Sequence, residues 1–212
     1  VPRLAPGSPR NGRARLPAQI PPLLSLALIQ HRVPARDEAS VPKSQEKMAK
    51  KDAAIQPGIE TDDALKAAGR FMQSGDLEQA AVVLEDVLLA DPGHFDATLG
   101  LAIVHATRGD LETAIPLFQK AVTIRPGDAE AHFNLGRALT ENGKLDDAAT
   151  AYRRSLDIDP NQDAAHINLG NLLIKSGDEA TAADSFRRAI EIIPDHALAH
   201  SNLGNALFGL GR

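Results

Sequence analysis

The sequence predicts an all-α protein, a stack of antiparallel helix pairs preceded by a segment without regular structure. Three observations carry this expectation. Residues recur at a period of 34 from Thr61 onward. Ala and Leu, the strongest helix formers, fill a composition in which aromatics reach only 3%. Proline and charge both divide the chain near residue 60.

With 212 residues, 43% hydrophobic and 24% charged, the chain is globular in composition. It has no Cys, which excludes disulfide scaffolds, thiolate zinc sites and cysteine nucleophiles. No Asn-x-Ser/Thr sequon occurs, and no apolar run approaches the ~18 residues needed to cross a bilayer. A cytoplasmic protein without cofactor, nucleic-acid partner or membrane contact is the expectation.

Residues 1–60 hold ten Lys/Arg against five Asp/Glu, a balance of +5. The remaining thirteen and twenty-three leave residues 61–212 at −10. From Val1 to Arg36 six Arg and no acid are interleaved with Pro2, Pro6, Pro9, Pro17, Pro21, Pro22 and Pro34. Proline at that density removes donors and blocks helix, so residues 1–60 read as a disordered Pro/Arg-rich segment. The arginines resemble a transit peptide and Leu23–Ile29 a short signal core. Pro21-Pro22 enters that core, however, and no small-residue cleavage site follows cleanly. Met48 is the first methionine and the expected true start, with 1–47 in-frame upstream sequence.

The repeat then divides the chain into blocks 61–94, 95–128, 129–162 and 163–196, with a partial fifth at 197–212. Pro92, Pro126, Pro160 and Pro194 are 34 apart, as are Gly75, Gly109, Gly143, Gly177 and Gly211. Ala80, Ala114, Ala148 and Ala182 keep the same step. At average Pro and Gly usage, each of the first two ladders would arise by chance on the order of once in 10⁵ or less. In the third block His132, Leu135, Gly136 and Leu139 make one stripe of a first helix. Asn142-Gly143 stops it, since glycine supplies the left-handed residue that a helix end uses. Leu145 opens a second helix with the stripe Ala148, Tyr152, Ser155, Leu156 and Ile158. Asp159-Pro160 ends it, because a residue before proline is driven out of the helical region. Small residues at Gly136 and Ala148 let the two helices approach closely.

These residues resemble the tetratricopeptide repeat family: Leu135-Gly136, Ala148, Tyr152, Pro160, and again Leu169-Gly170, Ala182, Phe186, Pro194. Block two fits through Ala114, Phe118 and Pro126, whereas block one has Ala68 for the glycine and Leu84 for the aromatic. The family's first-helix Trp is replaced by Ala64, Thr98, His132, His166 and His200. The resemblance implies an α-α superhelix, a solenoid whose first helices line the concave face.

His132, His166 and His200 are the nearest thing to a metal set. Equivalent positions on successive repeats lie on the order of 10 Å apart, whereas zinc needs every ligand within ~2.1 Å of one point. They are expected instead in the seam between helices, in place of the aromatic. Gly136 to Gly143-Lys144 fails as a phosphate loop through its spacing and through Leu145 where Ser or Thr belongs. Asp62-Asp63 and Asp146-Asp147 fall at helix starts, where carboxylates complement the macrodipole. The sequence presents no catalytic constellation and no metal site.

The candidate site is a column of asparagines. Asn134, Asn168 and Asn202 are 34 apart, each just before Leu-Gly. Helical spacing joins Asn134 to Glu130, Arg137 and Glu141, Asn168 to Asn171 and Lys175, and Asn202 to Asn205. This stripe is separate from the packing stripe and should point away from the hairpin seam. An amide offers both donor and acceptor, so a column of them suits the backbone of an extended peptide whatever its sequence. Lys66 and Gly100 interrupt the column in the first two blocks. The column resembles the asparagine ladder in the repeat arm of O-linked N-acetylglucosamine transferase. The chaperone-binding clamp of the family is not matched, since Leu65 and Gly69 occupy its first positions.

Two functions follow as expectations. One is an interaction module binding an extended peptide or helix of another protein through Asn134, Arg137, Asn168, Asn171, Asn202 and Asn205. The other is the substrate-recruiting arm of a larger transferase, a glycosyltransferase of that kind or a repeat-fused sulfotransferase. The sequence also ends where a second helix of the fifth block is expected, so the reading is of a chain cut within its array.

Overall fold

The structure, a computed structural model, describes residues 61–211. The segment expected at 1–60, the start at Met48 and Arg212 lie outside the described residues. The described residues form nine α-helices in chain order. The first pair is α1 (Thr61–Ser74) and α2 (Leu77–Ala90), the second α3 (Phe95–Thr107) and α4 (Leu111–Ile124). The third is α5 (Ala129–Glu141) and α6 (Leu145–Ile158), the fourth α7 (Asp163–Ser176) and α8 (Glu179–Ile192). The last helix, α9 (Ala197–Gly209), packs on α8.

Each hairpin turns on one glycine. Gly75, Gly109, Gly143 and Gly177 have φ near +80° (79–81°), the left-handed region open to a residue without Cβ. The residue after each glycine donates back to a carbonyl five residues earlier, as in Asp76 to Phe71 and Lys144 to Leu139, both 2.9 Å. This satisfies an orphan carbonyl at the end of the first helix. Second helices stop at Asp91, Arg125, Asp159 and Ile193, all with extended or near-extended backbone before a proline.

Packing repeats with the same period. Ala80, Ala114, Ala148 and Ala182 are fully buried, as are Phe118, Tyr152 and Phe186 one turn further on. A Cβ added to Gly136 would stand 2.8 Å from the Tyr152 ring, and one on Gly170 would stand 2.6 Å from Phe186. The glycines thus set how closely the third and fourth pairs close. Pairs are joined through α2 on α3, α4 on α5 and α6 on α7, so the core is a continuous strip and not a central ball. Ser155, buried where Ala121 and Ala189 stand in neighbouring pairs, lies 2.7 Å from the Ala129 carbonyl and ties α6 to the start of α5.

The histidines are not in the seam where the sequence places them. His132, His166 and His200 donate from Nε2 to the carbonyls of Pro126, Pro160 and Pro194, at 3.1, 3.0 and 2.7 Å. A polar ring one turn into the first helix finds a free carbonyl in the preceding turn, where an apolar ring would have turned inward. Each histidine therefore latches its helix to the chain entering it.

Candidate functional site

α5, α7 and α9 carry the asparagine column one helix pair apart. The six predicted residues divide into an enclosed group, a partly covered group and one exposed member. Asn134 and Arg137, one turn apart on α5, are 8% and 5% exposed. Asn168, Asn171 and Asn202 are half-buried, and Asn205 is exposed. The sequence leads to open side chains throughout. Burial at α5 arises because helices are stacked on both sides of it, whereas α9 has only α7 and α8.

Polar contacts join successive pairs. Asn202 donates from Nδ2 to Asn171 Oδ1 at 2.9 Å, bridging α9 and α7. The Asn168 amide lies alongside the Tyr152 hydroxyl, which is 3.3 Å from Thr140 Oγ1 on α5. Burial pushes the Tyr152 hydroxyl up to about 12, with Thr140, Arg137 and Asn168 pulling it back in part. Tyr152 thus couples the hairpin core to the polar column, a role the sequence shows only as a packing aromatic.

Arg137 is the unusual member. Its guanidinium carbon lies 5.8 Å from the centroid of the Phe133 ring, at the outer edge of a cation–π contact. Among the described residues no hydrogen bond or ion pair engages either Arg137 or the Asn134 amide. Burial pushes the Arg137 guanidinium below the ordinary arginine value, opposed by Tyr152 and Glu141. Burial likewise raises the Glu141 carboxyl, with Arg137 opposing. Phe133 escaped the sequence reading, although its four-residue step to Arg137 is the spacing at which a helix stacks side chains.

Chemically this surface offers amides, one guanidinium and flanking apolar side chains. Among the described residues no three metal-ligating side chains converge, and no helix is long and apolar enough to cross a membrane.

Tetratricopeptide repeat models match residues 65–129, 105–169, 139–184 and 170–211, together spanning more than half of the chain. The chain belongs to the tetratricopeptide repeat family. Among solved structures, this tetratricopeptide array is similar to a crystal structure of MamA, at 25% identity and a TM-score of 0.67. That match covers 71% of this chain and 82% of that one. MamA from Desulfovibrio magneticus RS-1 matches at 25% identity and 0.62, over 73% and 89%. YrrB, described as a tetratricopeptide protein with an unusual peptide-binding site, matches at 25% and 0.61, over 74% and 78%. No curated protein matches the chain at a significant level.

Proposed function

We propose that this tetratricopeptide array is a protein-interaction module that holds an extended peptide of another protein along its concave groove. Asn134, Asn168 and Asn202 grip the peptide backbone, with Arg137, Asn171 and Asn205 beside them. The observation that carries this reading is Asn134: a residue only 8% exposed on a first helix, whose amide has no hydrogen-bond partner among the described residues and still reaches solvent. Buried polar groups are ordinarily satisfied, and a peptide amide would supply both a donor and an acceptor there. The peptide-binding site of YrrB, on a similar fold, supports the same class of ligand.

The same column supports a second reading, the substrate-recruiting arm of a larger transferase. A coding sequence that continues past Arg212 into a large α/β domain would decide for it.

The test is a set of short synthetic peptides of unrelated sequence, titrated against the full chain and against the variant Asn134→Ala, Asn168→Ala, Asn202→Ala. At ~0.5–1.5 kcal/mol per lost hydrogen bond, binding should weaken roughly 10- to 1000-fold for all peptides alike, with the helical signal retained. Unchanged binding in the variant would place the ligand on another surface.

A further inference from the structure

A buried arginine normally has a carboxylate or several carbonyls around it, because its charge is costly to enclose unpaired. Arg137 has no hydrogen bond and no ion pair within 4.0 Å among the described residues, and the Glu141 carboxylate reaches it only through longer-range attraction. Glu141, one turn further along α5, is not within 4.0 Å of it. Yet no buried side-chain nitrogen lacking a partner is completely sealed from solvent. The guanidinium therefore keeps some contact with solvent, with its N–H donors unspent and its carbon 5.8 Å from the centroid of the Phe133 ring. The Asn134 amide, equally unpartnered, is one turn away on the same face.

The geometry points to Arg137 as the anchor for one carboxylate of the bound peptide, and this rests on the groove reading above. A planar guanidinium fork takes a carboxylate through two parallel hydrogen bonds, and desolvation at the groove floor strengthens them. The wider charge limits what that partner can be. Residues 61–212 carry thirteen basic against twenty-three acidic side chains, a field that repels a generally acidic segment. The ligand is therefore a neutral or basic extended segment bearing a single carboxylate. That group is either an Asp or Glu side chain or the peptide's own C-terminus.

Three peptide pools of otherwise acid-free random sequence separate these cases. One carries an internal Asp and an amidated end, one a free C-terminal carboxylate, and one no carboxylate at all. Each is titrated against the full chain, Arg137→Met, Arg137→Lys and the triple asparagine variant, with thermal melts to confirm folding. Arg137→Met keeps the stem and removes the charge, and Arg137→Lys keeps the charge without the fork. Wild type should prefer one carboxylate pool over the acid-free pool by roughly 10- to 100-fold. Arg137→Met should erase that preference, and Arg137→Lys should retain part of it. The carboxylate pool that wins identifies the source. If wild type shows no preference, or both Arg137 variants keep it, the anchor is wrong, while uniform weakening by the asparagine variant preserves the groove. If wild type binds none of the pools, the groove and the anchor fall together.

Discussion

Tyr152 is the single tyrosine of the chain, so its ionisation can be followed by absorbance without interference. Its hydroxyl is held up to about 12 because burial disfavours the phenolate. The sign of the linkage follows from this. The unfolded chain ionises first, near the ordinary value of ~10, so the stabilisation is complete below that pH and is lost as pH rises toward 12. Between pH 9 and 12, stability should fall by about 2–3 kcal/mol more in wild type than in Tyr152→Phe, measured by urea unfolding. Equal losses in the two proteins would contradict this. Individual side chains were unevenly legible in the sequence. Tyr152 could be read as a buried knob because spacing alone sets its face. The proline latch of His132 could not, since it depends on a carbonyl six residues back that helical periodicity does not address. The burial of Arg137 was equally hidden, because it comes from neighbouring helices and not from α5 itself.

Among the elements, the second helices share one architecture and differ in one cap. Asp76, Asp110 and Asp178 accept hydrogen bonds from the third residue of the helix that follows, at 3.2, 3.2 and 3.1 Å. Lys144 stands at the equivalent place with the same backbone conformation and no side-chain bond. Lys144→Asp should therefore stabilise α6 without rearrangement. The gain should be about 0.5–1 kcal/mol, at the low end for a cap because Asp146 and Asp147 already place negative charge in that turn. A denaturant midpoint that does not rise would show the capping geometry to be unavailable. Helix starts and stops were the most legible part of the fold. Each depends on a local backbone requirement, a positive φ at glycine or an excluded helical ψ before proline, repeated at a fixed interval.

At the scale of the molecule, the two ends of the strip-like core are not alike. α9 has no second helix against it among the described residues, and Leu198, Phe208 and Leu210 are 41%, 85% and 37% exposed. Nothing lies within 4 Å of a Cβ built on Gly204, whereas the equivalent atom on Gly136 meets an aromatic ring. The same substitution should thus have opposite signs at the two positions. Gly136→Ala should lose about 1–2 kcal/mol, since overpacking against the Tyr152 ring outweighs helix propensity. Gly204→Ala should gain about 0.5–1 kcal/mol. A melting temperature lowered at Gly204 as well would mean that α9 is already covered in solution. The strip also behaves differently from a ball under load. Because each helix touches mainly its immediate neighbours in sequence, tension applied along the array is borne in series by every joint. The superhelix is then a compliant spring whose pitch adjusts in small shares at each pair. A peptide lying across several pairs would feel that pitch, and stretching the array would loosen its grip without unfolding any helix.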